Sequence, residues 1–233
     1  SSPVQCRFEV HLGSDGSVAQ NAWNLWLFPK SDRATMAKSL TVWNYSGAES
    51  SETLHGIDCT TLKWDDVKQQ WIALDREREI VVNDWSNAVV ATDRLDTNIT
   101  ATLQDGARVL YIPYQDSPMD IPRQDAPFWR EMTIWLPTGH PALGDFPHES
   151  FTDLQFLDMT QRRPFALGKS RDSVNSLIWG TNARNPGANL YDYVYETSVG
   201  KGKMIACCLN LRGIDNVAGH HLLRCLAEYL ISL

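Results

Sequence analysis

The sequence lacks long apolar runs, basic clusters and paired cysteines. No apolar stretch reaches the roughly 18 residues that suggest a membrane-spanning helix. The 21 lysines and arginines are outnumbered by 28 acidic residues. The resulting net charge of −7 disfavours a nucleic acid partner, because an acidic surface repels phosphate backbones. The five cysteines show neither zinc-finger nor redox spacing. These absences predict a soluble globular protein that partners neither membrane nor nucleic acid.

Motifs that mark reactive sites are also missing. Residues 46–51 follow a predicted strand but lack both glycine-rich phosphate-binding patterns. No G-x-S-x-G or G-x-C-x-G turn is present, and no pair of carboxylates is distinguished by its context. Cys207 and Cys208 lie in an apolar strand and are interpreted as small buried hydrophobic residues. His220 and His221 are predicted to be surface and packing residues of the last helix. We therefore predict no catalytic residue, no cofactor and no metal ion in this chain.

A β-hairpin opens the chain. Residues 4–12 partly alternate between apolar and polar side chains, a turn follows, and residues 21–28 form a second strand that ends at Pro29. Two strands alone do not make a stable unit in water. We therefore predict that residues 1–36 are the remnant of an all-β domain whose other strands lie upstream, or an edge added to the next domain.

Residues 37–233 show the alternation of strands and helices that is typical of an α/β domain. The clearest unit is a strand at 88–92, a helix at 96–104 ended by Gly106, and a strand at 108–113. This βαβ pattern predicts a mostly parallel sheet with helices on both faces. The remaining predicted elements are strands at 39–45, 176–181, 190–197 and 203–209, a helix at 60–75, and a final helix at 216–230 capped by Asn216.

A loop-rich insertion is predicted at residues 114–170, with a short strand near 129–136. Long irregular stretches inside a domain usually carry function or contact a neighbour. The alternative is that the large aromatic side chains hold the loop down by packing. The histidines of this segment, with Asp145 and Glu149 nearby, are given structural or surface roles in preference to metal binding. The residues predicted to contact a substrate or a neighbouring domain are Trp129, Trp135, His140, Phe146 and His148.

Three stretches resemble the C-terminal region of bacterial family 2 glycoside hydrolases, the β-galactosidase-like enzymes. Residues 21–29, NAWNLWLFP, are similar to the N-x-W-x-x-W-x-x-P strand that closes an immunoglobulin-like sandwich in that family. Residues 140–147, HPALGDFP, with DLQF at 153–156, look like an H-P-x-x-x-x-F-P segment followed by a D-W-Q-W box. Residues 199–204, VGKGKM, resemble the closing V-G-K-G-K-[LM] strand, and LQDGARVL at 103–110 fits the same order.

The resemblance implies a flavodoxin-like domain of the class I glutamine amidotransferase type, without the amidotransferase nucleophile, attached to an immunoglobulin-like hairpin. It places the catalytic carboxylates in an upstream TIM barrel, and it favours a periplasmic or secreted location. One departure stands out, because Leu154 and Phe156 replace both tryptophans of the D-W-Q-W box. If those rings contact sugar in the family, sugar binding by this chain is in doubt.

Three functions follow as hypotheses. The first is a non-catalytic accessory domain of a β-galactosidase-like glycoside hydrolase, whose partners are the upstream domains of its own chain. The second is a carbohydrate-binding module, which requires an exposed row of aromatic side chains for an oligosaccharide. The third is a stand-alone amidotransferase-like enzyme, which requires a thiol close to a histidine at the end of a strand.

Overall fold

Twelve β-strands and two α-helices make up the regular structure of the described residues, together with short 3-10 turns. The structure is a computed structural model, and it describes residues 2–14, 17–29, 41–45, 59–75, 78–85, 88–113, 121–124, 131–135, 139–157, 159–160, 163–182, 189–211 and 216–233. Among these residues, neither α-helix combines the length and apolar character needed to cross a membrane.

The predicted N-terminal hairpin is confirmed. Strands β1 (Val4–Ser14) and β2 (Ser17–Leu27) pair antiparallel along their whole length. Within the described residues they form a two-stranded sheet of their own, separate from the large sheet. The proposed boundary at residue 36 lies outside the described residues.

The other ten strands form one mixed sheet, in the order β6-β5-β4-β3-β7-β8-β12-β11-β10-β9. Its five central strands, from β4 to β12, run parallel to one another, and antiparallel strands extend the sheet on both sides. The strands are β3 (Thr41–Tyr45), β4 (Cys59–Asp65), β5 (Gln70–Asp75), β6 (Arg78–Val82), β7 (Ala88–Thr92), β8 (Arg108–Tyr111), β9 (Glu131–Trp135), β10 (Asn175–Asn182), β11 (Asn189–Val199) and β12 (Gly202–Cys207).

The expected fold class is wrong. We predicted a flavodoxin-like domain with helices on both faces of a mostly parallel sheet. Strands instead dominate the described residues, five of the nine strand pairings in the large sheet are antiparallel, and α1 (Thr97–Asp105) and α2 (Val217–Ser232) are the α-helices of the described part. The molecule is a mostly β protein built on a wide mixed sheet.

The largest single error lies at residues 60–75, where we predicted a helix. This segment is the antiparallel hairpin β4–β5. The carboxylate of Asp65 accepts hydrogen bonds from the backbone N–H groups of Val67 and Lys68, at 3.0 and 3.1 Å, and so closes the turn between the strands. Trp71 is buried and its Nε1 donates to Thr102 Oγ1 on α1 at 2.9 Å, which fixes this hairpin against the rest of the domain.

The βαβ unit at residues 88–113 is confirmed. Strands β7 and β8 are parallel, fully apolar at their centres and buried, and α1 connects them. Asp96 caps the helix through hydrogen bonds from the N–H groups of Asn98 and Ile99, and Gly106 ends it in the left-handed conformation. Strands β11 and β12 pair antiparallel, and the predicted Asn216 cap of α2 is also confirmed.

The position of the turn between β11 and β12 explains why the sequence has two glycines there. Gly200 and Gly202 pass directly over the end of α1. A Cβ atom on Gly202 would lie 2.3 Å from the carbonyl oxygen of Leu103 and 2.4 Å from that of Ala107. Because both contacts are with backbone, neither neighbour can rotate away, and only glycine fits at position 202.

We expect Gly202→Ala to lower the free energy of unfolding by about 1–3 kcal/mol or more, because the added methyl group overpacks a rigid backbone contact. The matched control is Gly168→Ala, which has a positive φ of 56° but nothing within 4 Å of the new Cβ. That variant carries only the conformational cost of roughly 1–2 kcal/mol. Urea unfolding measures both, and equal losses in the two variants would contradict the steric explanation.

Candidate functional site

The N-terminal hairpin presents its apolar face to solvent. The side chains of Phe8 and Trp23 lie opposite each other in the strand register, with ring centroids 5.9 Å apart. They are 53% and 39% exposed. Other apolar residues of the same face are also exposed, namely Val4, Leu12 and Leu27. A contiguous apolar face on the surface of a soluble domain usually marks a contact with another protein surface or with a ligand.

The polar face of the hairpin contacts the domain instead. Glu149 accepts hydrogen bonds from both strands, at 3.2 Å from Gln5 Nε2 and 2.7 Å from Asn24 Nδ2. Strand β2 also contacts the 3-10 turn at residues 154–156. The hairpin therefore lies on the domain with its apolar face outward. This orientation is the reverse of the usual one, in which a docked amphipathic hairpin buries its apolar face.

Phe28, just after β2, fixes the end of the hairpin. Its ring lies 5.9 Å from the ring of Phe146 and 5.6 Å from the imidazole of His221 on α2. Phe146 is buried and also packs edge-on against Phe156, with centroids 5.1 Å apart. The buried ring of Phe146 thus joins the end of the hairpin, the segment 139–157 and the last helix.

Beside this aromatic group, a carboxylate, an imidazole and a thiol converge. Asp145 Oδ1 lies 2.8 Å from His221 Nε2 and 3.6 Å from Cys225 Sγ. The three ligand atoms all lie within 4.8 Å of one another. Asp145 is 46% exposed, whereas His221 and Cys225 are buried. We call these three residues the Asp–His–Cys cluster.

Local geometry accounts for the cluster. His221 and Cys225 are four residues apart on α2, so their side chains share one face of the helix. Asp145 arrives from the 3-10 turn at 141–143, which His140 caps by accepting from Ala142 N–H at 3.2 Å. Gly144 has a φ of 54°, and a Cβ there would lie 3.1 Å from Cys225 Sγ. Glycine at 144 therefore lets the chain pass close enough for Asp145 to reach the thiol.

The partners of His221 define its protonation. Arg224 can only donate, and its Nη2 lies 3.1 Å from His221 Nδ1, so Nδ1 accepts and the ring proton resides on Nε2, which donates to Asp145. Burial lowers the pKa of His221, and Asp145 offsets only part of this effect, so the ring is neutral at pH 7. The contact is a hydrogen bond to a carboxylate rather than an ion pair.

The electrostatics of Asp145 follow from the same contacts. Burial acts to raise the pKa of its carboxyl group. Hydrogen bonds from Ser2 and His221, together with the proximity of the imidazole, outweigh burial, and the pKa of Asp145 lies below its usual value. The residue is therefore ionised at neutral pH. Its bond with Ser2 adds a further tie between the start of the chain and the segment that follows Gly144.

The cluster is not arranged as a cysteine nucleophile. In a catalytic triad the imidazole lies between the nucleophile and the carboxylate and removes the proton from the thiol. Here the carboxylate lies in the middle and accepts from both neighbours. Burial, followed by the charge of Asp145, raises the pKa of the Cys225 thiol to about 12. A thiol with that pKa is almost entirely protonated at neutral pH and reacts slowly.

The thiols of Cys207 and Cys208, at the end of β12, are no more reactive than that of Cys225. Burial raises the pKa of Cys207 to about 12 and that of Cys208 well above its ordinary value. The nearest acceptor to Cys208 Sγ is the backbone carbonyl of Asp192, at 3.8 Å. The predicted burial of both cysteines is confirmed.

Comparison with known protein families gives one match. Residues 90–232, more than half of the chain, match the family described as Domain of unknown function (DUF8487). The chain belongs to the DUF8487 family. No curated protein matches the sequence. The DUF8487 match begins within β7, so it contains the whole Asp–His–Cys cluster but leaves the hairpin and β3 to β6 outside.

The described residues among those predicted to contact a substrate make different contacts. Phe146 is buried in the aromatic group described above. His140 caps its turn, lies 3.1 Å from Asn175 Nδ2 and meets the ring of Tyr229 edge-on. His148 is half-buried, with Ser150 N 3.5 Å from its Nδ1, and burial lowers the pKa of both histidines. Trp135 lies on strand β9. Trp129 lies outside the described residues.

The two altered positions of the D-W-Q-W box differ in environment. Phe156 is buried against Phe146, so position 156 serves packing. Leu154 is 45% exposed at the surface of the 3-10 turn. Position 156 therefore carries a packed aromatic ring, whereas position 154 carries an exposed aliphatic side chain.

Sequence reasoning missed the Asp–His–Cys cluster. Asp145 was considered only together with His140 and His148, and His221 was expected in a surface or packing role, although it is buried and bonded to Asp145. Two of the cluster's three members could have been found from the four-residue spacing of His221 and Cys225 on a helix, since this spacing brings both side chains to one face.

Thiol labelling tests the electrostatics of the cluster. At pH 7.5 we expect an alkylating reagent to leave Cys207, Cys208 and Cys225 unmodified in the native protein, because all three thiols are buried and protonated. Denaturant should make all three reactive. Mass spectrometry after a timed quench locates each adduct, and rapid modification of native Cys225 would restore the nucleophile hypothesis.

Limited proteolysis tests the aromatic link. We expect Phe28→Ala to weaken docking of the hairpin by roughly 1–3 kcal/mol, because the half-buried ring loses its contacts with Phe146 and His221. Cleavage at the end of β2 should accelerate. Phe8→Ala, on the outward face, is the matched control and should leave the cleavage rate unchanged. Equal rates for the two variants would show that Phe28 does not fix the hairpin.

Proposed function

We propose that this chain is a non-catalytic accessory domain of a β-galactosidase-like glycoside hydrolase, and that the hairpin joins it to an upstream all-β domain of the same polypeptide. The observation that carries the proposal is the outward apolar face of the hairpin, centred on Phe8 and Trp23. The parent enzyme hydrolyses O-glycosidic bonds in carbohydrates with carboxylates that lie outside this chain.

The reversed polarity of the hairpin supports this role. A β-sandwich buries the apolar faces of two sheets against each other, and a two-stranded hairpin cannot supply the second sheet. The domain contacts the hairpin through Glu149 and Phe28, which leaves the whole apolar face available. An upstream sheet is the partner that suits an extended, alternating and mainly aliphatic surface.

The positions of the family-like motifs also support it. Phe28 belongs to the first stretch, residues 21–29, and its ring contacts Phe146 in the second stretch, residues 140–147. Phe146 in turn contacts Phe156, in the stretch at 153–156. The glycines at 200 and 202 pass over α1 beside residues 103–107. Motifs far apart in sequence therefore meet in space, as segments with a shared structural role do.

The surroundings of Cys225 and Cys208 weigh against the amidotransferase alternative. Cys225 donates to a carboxylate, and Cys208 lies against a backbone carbonyl. The stand-alone amidotransferase hypothesis needs a thiol that is deprotonated by an adjacent imidazole. Burial raises the pKa of both thiols and so opposes their deprotonation.

Dye binding by the isolated chain tests the exposed face. We expect the chain to bind a hydrophobic fluorescent dye or to self-associate through the hairpin, and the double variant Phe8→Ser/Trp23→Ser to lose most of this behaviour, because it removes the paired rings. The matched control, Arg7→Ser/Gln20→Ser, alters exposed polar residues on the opposite face of the same hairpin. Fluorescence and sedimentation velocity give the readout. Unchanged dye binding and association in Phe8→Ser/Trp23→Ser would contradict the proposal.

The complete reading frame provides the decisive experiment for the parent enzyme. An upstream TIM barrel with two glutamates at its strand ends would support the accessory role, and the same Phe8→Ser/Trp23→Ser change in that longer protein should lower its melting temperature. A start codon immediately before Ser1 would overturn the proposal. So would turnover of a nitrophenyl galactoside by the 233-residue chain alone.

A carbohydrate-binding module is the second candidate, and the same aromatic pair favours it. Exposed rings of tryptophan and phenylalanine offer flat apolar surfaces on which sugar rings can stack. Titration calorimetry with a panel of galactosides and plant-type oligosaccharides separates the two functions. Saturable heat that disappears in Trp23→Ser would favour sugar binding, whereas no heat with any glycan removes this candidate.

A further inference from the structure

We propose that Asp145, His221 and Cys225 bind a single divalent cation of the Zn²⁺ class. The argument is independent of the accessory role, because it depends only on the arrangement of three side chains within the described residues. It begins from the convergence of their ligand atoms within 4.8 Å.

The chemical identity of the three ligands selects the metal. Thiolate, imidazole and carboxylate are the side chains that bind Zn²⁺ in proteins, and three of them leave a fourth tetrahedral position for water or for a ligand from a partner. Calcium and magnesium prefer oxygen ligands only, so a site containing sulfur and nitrogen disfavours them.

The geometry is close to that of a tetrahedral site. Metal–ligand bonds of about 2.0–2.3 Å require ligand atoms roughly 3.3–3.8 Å apart. The separation between Asp145 Oδ1 and Cys225 Sγ, 3.6 Å, already falls in that range. The contact between Asp145 and His221, at 2.8 Å, must open by about half an ångström. The carboxylate is half-exposed and can rotate, so this contact can open without movement of α2. The third separation, between His221 Nε2 and Cys225 Sγ, lies within 4.8 Å and is set by the rotamers of the two side chains.

Two of the three ligands are held rigidly, and the third gives an ion access from solvent. His221 and Cys225 are buried on one face of α2, which fixes two ligands in advance. Asp145 is exposed and provides the route by which an ion enters from solvent. Ser2 lies within hydrogen-bonding distance of Asp145 and so places a hydroxyl group beside the open side of the cluster.

Arg224 is the residue that opposes the cation. A zinc-bound Nε2 requires the ring proton to move to Nδ1, and Nδ1 now faces the Nη2 donor of Arg224 at 3.1 Å. The guanidinium must therefore turn away. Glu228 offers it an alternative partner, since Arg224 Nε already lies 3.6 Å from Glu228 Oε1. Removing the guanidinium should favour the metal-bound form.

The competition between Arg224 and the cation for His221 predicts variants with opposite effects on Zn²⁺ affinity. In Arg224→Gln the Zn²⁺ affinity should rise, because the positive charge is removed and the amide oxygen can accept a hydrogen bond from the protonated Nδ1 of His221. In Asp145→Asn it should fall at least about tenfold, because an amide is a poor zinc ligand. Asp145 is exposed, so this variant is expected to fold. Cys225→Ser should also bind weakly, and circular dichroism checks that this buried change preserves the fold.

The test is calorimetric titration of untagged, chelator-treated full chain with ZnCl₂, with Co²⁺ as a spectroscopic probe. We expect one site per chain and a cobalt spectrum with thiolate charge-transfer and tetrahedral bands, both lost in Cys225→Ser. Cys6→Ser, on the hairpin, is the matched control and should bind as the parent does. The absence of saturable binding, a cobalt spectrum without a thiolate band, or unchanged affinity in Asp145→Asn would overturn the proposal.

Discussion

The packing of the Phe146 ring is the contact on which the arrangement of the N-terminal hairpin depends. The ring touches Phe28 after the hairpin, Phe156 in the adjacent 3-10 turn and His221 on the last helix. The neighbouring carboxylate of Asp145 extends the same junction through its bonds with His221 and Cys225. The docking of the end of the hairpin and the convergence of the cluster therefore share one structural cause.

The parts of the fold that were predictable are those that local physics specifies. The unit from β7 to β8 contains two short apolar strands, a capped helix and a terminating Gly106, and each signal acts within a few residues. The segment 60–75 was mistaken for a helix because Leu62, Trp71 and Leu74 fit a helical stripe loosely. The turn bonds of Asp65 close the hairpin locally. The parallel pairing of β4 with β3 and the bond from Trp71 to Thr102 are distant contacts, which spacing alone does not reveal.

The candidate site was predictable only in part. The two strands alone predict a hairpin that needs a further partner, but the direction of its apolar face depends on Glu149, which is distant in sequence. In the cluster, the four-residue spacing of His221 and Cys225 is local and readable. The third member, Asp145, is brought there by a tertiary contact and by the positive φ of Gly144, neither of which is encoded by a motif. The stretch at 140–147 that carries the family resemblance contains Asp145, but its pattern does not indicate the chemistry of the cluster.

The central position of β12 affects how the polypeptide acquires its shape during synthesis. Arg108 of β8 pairs with Lys203 of β12, so the edge of β8 has no neighbour until the last part of the chain is made. At elongation rates of about 5–20 residues per second, the interval is roughly 5–20 s. During that time the nascent chain exposes an unpaired apolar strand edge, which is a template for misassociation. The ribosome-bound intermediate is consequently the species most in need of a chaperone.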